Sequence, residues 1–161
     1  MKLEQLGELT CRTIQNIDPS EKPELVVILC HGFGAPGTDL VPLGPELLSM
    51  RPQLAEPTRI IFPEAPLEPP ELFGGRAWWP LDVAELQRAI QLGEFRTLRS
   101  QHPPELPSAR EKLISVIEAV RGETGLPMSR IVLGGFSQGS MLTTDVSLRL
   151  EERPAALCVW S

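Results

Sequence analysis

Ile131-Val132-Leu133-Gly134-Gly135-Phe136-Ser137-Gln138-Gly139-Ser140 is the stretch on which the fold turns. Its opening apolar run reads as a strand buried on both faces, and Gln138 to Leu150 reads as the helix that follows. Between them stands Gly135-Phe136-Ser137-Gln138-Gly139, a G-x-S-x-G in the strand, turn and helix setting that a nucleophile elbow requires. A serine in that position sits on a strained turn that points its hydroxyl out of the sheet. Gly135 and Gly139, two positions to either side, leave room for strand and helix to pack closely around it. An ordinary glycine-rich turn between strand and helix is the plain alternative.

Working outward, Leu25 to Cys30, Arg59 to Phe62 and Ala156 to Trp160 are further apolar runs that suit strands covered on both faces. Helical stretches lie between them: Asp39 to Met50, interrupted by Pro42 and Pro45; Val83 to Ile90; and Ser108 to Arg121, with Leu113, Val116, Ile117 and Val120 on one face. Strand and helix in alternation predict an α/β fold, a mostly parallel sheet with helices on both faces. Near the amino terminus Leu9, Cys11 and Thr13 alternate with Thr10, Arg12 and Ile14, which predicts a half-exposed edge strand.

The chain has 161 residues, 42% of them apolar and 22% charged, the balance of one globular domain spanning residues 1–161. Seventeen prolines argue for stiff, punctuated connections and against a long-helix protein. A formal charge of -6 with no basic cluster makes nucleic acid a poor partner. Cys11, Cys30 and Cys158 lie far apart and form no C-x-x-C, so they read as reduced core residues. The first ten residues hold neither a signal peptide nor a membrane span, and a cytoplasmic location is expected.

Acyl transfer through a serine needs N–H donors aimed at the developing oxyanion, one from the residue after the nucleophile and one from a glycine-rich loop after an earlier strand. The loop His31-Gly32-Phe33-Gly34-Ala35-Pro36-Gly37 comes straight off the Leu25–Cys30 strand. The expected donors are the backbone N–H groups of Phe33 and Gln138. A phosphate cradle is the rival reading, but neither a Lys-Ser or Lys-Thr pair nor G-x-G-x-x-G spacing is present.

His31-Gly32-Phe33-Gly34, Phe62-Pro63-Glu64-Ala65-Pro66, Ala77-Trp78-Trp79-Pro80-Leu81-Asp82 and Gly134-Gly135-Phe136-Ser137-Gln138-Gly139-Ser140 together resemble, in order and spacing, the phospholipase/carboxylesterase branch of the α/β-hydrolases, which includes the acyl-protein thioesterases. The resemblance runs from Leu25 onward. It implies a serine esterase acting on carboxylic esters or thioesters, without a metal or organic cofactor. It also implies Ser137 as nucleophile, Phe33 and Gln138 as oxyanion donors, and Trp78-Trp79 beside the acyl pocket, although Trp79-Pro80 departs from the aromatic and acidic pair of the family. Judged without the family, two adjacent tryptophans serve equally well as a core plug.

The family order is serine, then acid, then histidine. Twenty-four residues follow Ser137; their only acids are Asp145, Glu151 and Glu152, and they include no histidine. Asp145, two turns into the helix after the elbow, is expected to be a solvated or capping charge. Of the two histidines in the sequence, His31 is expected to hold the oxyanion loop by hydrogen bonds, and His102, in Ser100-Gln101-His102-Pro103-Pro104, to lie exposed in a connection. The sequence therefore reads as the amino-terminal two thirds of a hydrolase domain, C-terminally incomplete, with an unpaired apolar edge that invites self-association. Three functions follow: a serine carboxylesterase completed by a longer chain, a non-catalytic module that binds an acyl group, a lipid or a protein, and an unrelated nucleotide-binding domain.

Overall fold

The structure is a computed structural model that describes residues 1–15, 17, 21–50, 52, 57–93 and 102–161. Six strands form one sheet: β1 (Lys2–Leu6), β2 (Leu9–Gln15), β3 (Leu25–Cys30), β4 (Thr58–Pro63), β5 (Ile131–Phe136) and β6 (Ala156–Trp160). Their spatial order is β1-β2-β4-β3-β5-β6. β4, β3, β5 and β6 run parallel, and the β1–β2 hairpin joins antiparallel to β4. The helices are α1 (Leu43–Met50), α2 (Val83–Leu92), α3 (Leu106–Thr124) and α4 (Gln138–Arg149). This is the mostly parallel α/β sheet expected from the alternation of elements.

Period-two alternation divides the core into two layers. Val26, Ile28 and Cys30 of β3, Ile61 of β4, and Ile131 and Leu133 of β5 turn to the face packed by Leu113, Val116, Ile117 and Val120 of α3 and by Leu142 and Val146 of α4. Val27 and Leu29 of β3 and Ile60 and Phe62 of β4 turn to the other face, where Leu48 of α1 packs with Leu40 and Val41 of the preceding turn. Each aliphatic side chain so buried contributes about 1.5–3 kcal/mol over leaving it in water.

Several elements differ from the sequence reading in position or extent. β2 is an inner strand, because the charged segment Lys2–Leu6 folds back as β1 and takes the edge position. α1 starts at Leu43 rather than Asp39; Pro42 lacks the N–H that an earlier turn needs, so residues 36–44 form successive tight turns instead. α3 runs from Leu106 to Thr124, longer at both ends than Ser108 to Arg121, since Pro107 in its first turn pre-sets the helical φ and Gly125, at φ 75°, closes it. α2 runs on to Leu92.

At the β1 edge the Glu4 carboxylate receives hydrogen bonds from Lys2 (2.6 Å), Thr13 (2.6 Å) and Arg59 (2.7 Å), and Arg59 also holds Glu123 of α3 (2.9 Å). Burial works to raise the Glu4 pKa, but these three donors outweigh it and hold the carboxyl at about 2. With the folded pKa below the ordinary value, the stabilisation is complete above the unfolded pKa and is lost as pH falls toward 2. Urea unfolding followed between pH 5 and pH 2 is expected to show a loss on the order of 2 kcal/mol from this group, and Glu4→Gln is expected to flatten that slope. An unchanged slope in the variant removes Glu4 from the acid response.

Candidate active site

Ser137 closes β5 and opens α4 at φ 51° and ψ -116°, a left-handed conformation that a residue with a Cβ rarely adopts. Its N–H donates to the Trp160 carbonyl (2.8 Å), and its own carbonyl accepts from the N–H groups of Ser140 (2.9 Å) and Met141 (3.1 Å) and from Ser140 Oγ (2.7 Å). The turn is thus tied down on both sides. The glycines on either side are needed for space. A Cβ on Gly135 would lie 2.4 Å from the Gly139 carbonyl carbon, and one on Gly139 would lie 2.2 Å from the Cys30 carbonyl oxygen and 2.6 Å from that of His31.

That contact at Gly139 places the end of β3 against the first turn of α4 and delivers the His31–Gly37 loop to the serine. A Cβ on Gly32 would stand 3.4 Å from Ser137 Cβ and 3.1 Å from the Phe136 ring. The loop is braced from behind: the Gly34 N–H donates to the Arg76 carbonyl (2.8 Å) and the Arg76 N–H to the Ala35 carbonyl (3.0 Å). The Arg76 guanidinium pairs with Glu64 (2.7 Å), which also pairs with Arg12. Among the described residues, no backbone hydrogen bond uses the N–H of Phe33 or of Gln138.

His31 is 2% exposed and both of its ring nitrogens are engaged. The Ala65 N–H donates to Nε2 (3.1 Å), so Nδ1 carries the proton and faces the Gly32 carbonyl (2.9 Å). Burial lowers its pKa, which keeps the ring neutral. An imidazole committed in this way anchors the loop and has no lone pair left to take a proton from Ser137. His102 lies exposed in the connection before α3; Ser100 and Gln101 of that connection lie outside the described residues. Asp145 differs from its expected role, for it is paired with Arg110 of α3 (2.5 Å) and with Arg149 (3.0 Å) and so joins α4 to α3.

Trp78 and Trp79, 1% and 4% exposed, sit in the core layer under α3 and α4. Trp78 Nε1 donates to the His31 carbonyl (2.9 Å). The Gln138 side chain clasps the pair, accepting from the Trp78 N–H (2.9 Å) and donating to the Trp79 carbonyl (2.9 Å). One residue therefore offers its own N–H at the elbow while its amide ties down the segment beneath. An open cleft of about 600 Å³ at the ends of β5 and β6 is walled by other residues: Leu40, Leu43, Phe136, Val159, Trp160 and Ser161. The sequence reading missed these, since they come from three separate segments; the register that sets Phe136 beside Trp160 is a property of the folded sheet. Among the described residues, no group of three or more His, Cys, Asp or Glu is placed to hold a metal ion.

Replacing Gln138 with Leu keeps the bulk and removes both amide partners, leaving a buried N–H and a buried carbonyl unpaired. A loss of about 2–4 kcal/mol in unfolding free energy is expected. Gln138→Glu sets a carboxylate oxygen against the buried Trp79 carbonyl and is expected to cost at least as much as Gln138→Leu. Chemical denaturation of the three proteins checks the order, and equal stability of Gln138→Leu and the parent would show that the clasp carries no energy.

The chain is similar to known proteins over nearly all of its length. A family profile described as Phospholipase/Carboxylesterase matches residues 11–161. Acyl-protein thioesterase 1 of Cryptococcus neoformans is 32% identical over 89% of this chain and 58% of its own, and that of Emericella nidulans is 32% identical over 83% and 54%. Among solved structures, esterase PE8 matches with a TM-score of 0.68 at 26% identity, covering 98% of this chain and 62% of its own. The carboxylesterase from Mesorhizobium loti matches with a TM-score of 0.68 at 13% identity, a likeness of fold. The chain spans somewhat more than half the length of the curated relatives that it matches. The profile over residues 11–161, together with the elbow at Ser137, places the chain in the phospholipase/carboxylesterase family, on an α/β-hydrolase fold.

Proposed function

We propose that this chain carries the nucleophile and the oxyanion hole of a serine hydrolase for carboxylic esters or thioesters, the acid and imidazole being supplied by a longer form of the chain. The observation that carries the reading is the backbone of Ser137 at φ 51°, with Gly32 packed directly against it. Ser137 Oγ bonds to the carbonyl carbon as its proton passes to the imidazole, and the N–H groups of Phe33 and Gln138 receive the oxyanion. The alcohol or thiol leaves with that proton, and water, deprotonated by the same imidazole, releases the acid and frees Ser137. The apolar cleft at the ends of β5 and β6, lined by Phe136 next to Ser137 in the chain, suits the acyl part of a small ester or of an acylated substrate.

The composition favours a cytoplasmic location and speaks against nucleic acid. No helix among the described residues is long and apolar enough to cross a membrane. A second reading, an acyl-binding, lipid-binding or protein-interaction module on the same fold, draws support from His31: with both ring nitrogens occupied, it offers Ser137 no base. Titration of a fatty acid against the 161-residue chain tests that reading, which saturable binding without turnover favours.

In a longer form that hydrolyses a short-chain aryl ester, Ser137→Ala is expected to remove at least about a thousandfold of kcat while leaving the urea midpoint unchanged. Retention of more than about a tenth of the activity rejects the assignment. In the same form Gly32→Val, whose side chain would press on Phe136 and Ser137, is expected to lower kcat by about a hundredfold or more with a smaller change in KM. An unchanged kcat moves the oxyanion hole elsewhere. The 161-residue chain alone is expected to be nearly silent on the same ester and to self-associate; brisk turnover would make a base of His31 or His102.

A further inference from the structure

Glu64 follows β4 directly, and its main chain is fixed: the N–H donates to the Thr10 carbonyl of β2 (2.9 Å). The next residue, Ala65, donates its N–H to His31 Nε2 (3.1 Å), at the head of the oxyanion loop. The Glu64 side chain, 13% exposed, reaches the tail of the same loop. A Cβ on Gly37 would lie 2.6 Å from Glu64 Cγ and Oε2 and 2.6 Å from Arg12 Nη1, so the loop closes down on the carboxylate and its partner.

Each carboxylate oxygen has one guanidinium. Oε2 pairs with Arg12 of β2, and Oε1 with Arg76 (2.7 Å). Arg76 grips the middle of the loop with its main chain, accepting from the Gly34 N–H (2.8 Å) and donating to the Ala35 carbonyl (3.0 Å). The chain enters Arg76 from an open turn, where Phe73 is 96% exposed and nothing lies within 4 Å of a Cβ added to Gly74. The backbone grip therefore depends on what anchors the Arg76 side chain. Glu68 also reaches it (3.3 Å) but is 62% exposed, and an ion pair so open to water adds little.

We propose that Glu64 is a positioning residue for the oxyanion hole: from beneath Gly37, and through Arg76, its carboxylate fixes the Gly32–Ala35 backbone so that the Phe33 N–H stays aimed at the developing charge. The role rests on the hydrolase reading above and adds to it a residue that touches neither substrate nor Ser137. A donor set askew weakens the transition state much more than the bound ester, so its loss is expected in kcat and not in KM.

Two measurements test this. In the longer form, with a short-chain aryl ester, Glu64→Ala is expected to lower kcat by about tenfold to a hundredfold while KM changes by less than about threefold. Adding Arg76→Ala to it is expected to lower kcat by less than about twofold more, because the link is already broken. Glu64→Gln keeps the bulk and one acceptor oxygen; it is expected to fall between, and it answers the question if the alanine variant does not fold. In the 161-residue chain, Glu64→Ala or Glu64→Gln is expected to quicken hydrogen exchange at the Gly34 and Arg76 amides by about tenfold or more, with the amides of β3 and β5 at their parent rates. An unchanged kcat, a loss confined to KM, fully additive effects of the two alanine substitutions, or parent exchange rates at Gly34 and Arg76 overturns the proposal. Ser137→Ala, measured alongside, tells the two failures apart: activity kept there rejects the hydrolase reading, and activity lost there but kept in Glu64→Ala rejects the role of Glu64 alone.

Discussion

The approach of the Gly139 backbone to the carbonyls of Cys30 and His31 is the constraint on which the other features rest. It brings the first turn of α4 so close to the end of β3 that a Cβ there would stand 2.2 Å from a carbonyl oxygen. Three consequences follow from one contact. The helix is seated against the sheet, Ser137 is forced into its left-handed turn because the chain must reverse within two residues of β5, and the loop leaving β3 emerges beside the serine. Strain at Ser137 is thus held by packing around it, with Gly135 against Gly139 on one side and the Trp160 carbonyl on the other. Among the described residues, no backbone hydrogen bond uses the N–H of Phe33 or of Gln138.

Around that seam the polar groups divide their work. His31 binds the loop to Ala65 and Gly32, and Gln138 binds the elbow to Trp78 and Trp79. Glu64 gathers Arg12 and Arg76, tying β2 and the Arg76 segment to the end of β4. His31 and Gln138 are buried and the Glu64 group is half-buried, and each has its partners, so together they stiffen the loop and the elbow. The tryptophans, buried beneath the loop, act in this structure as its foundation, and the walls of the open cleft come from Leu40, Leu43, Phe136 and Trp160.

Much of this was legible in the sequence. β3, β4 and β5 read as continuous apolar runs because both of their faces are largely buried, whereas β6, read in the same way, leaves Leu157, Val159 and Trp160 exposed; the G-x-S-x-G motif carries backbone geometry that two glycines spell out. β1 was not legible, since Lys2 and Glu4 face an edge and leave no apolar pattern; without it, the alternation in Leu9–Gln15 looked like an edge strand, as alternation reports an open face and not an open edge. Asp145 was read as solvated because its partner Arg110 lies 35 residues away. The clasp of Gln138 on Trp78, 60 residues apart, leaves no local signature at all.

The seam can be measured directly by comparing two glycine-to-alanine variants by urea unfolding. Gly122, on the open side of α3, has nothing within 4 Å of an added Cβ, and Gly122→Ala is expected to stabilise the chain by about 0.5–1 kcal/mol. Gly139→Ala adds the same methyl group at the seam, in another helix. The account predicts a loss of at least about 3 kcal/mol there, or a chain that no longer folds cooperatively, because the added carbon meets two backbone carbonyls that cannot step aside. A Gly139→Ala protein with the urea midpoint of the parent would contradict it.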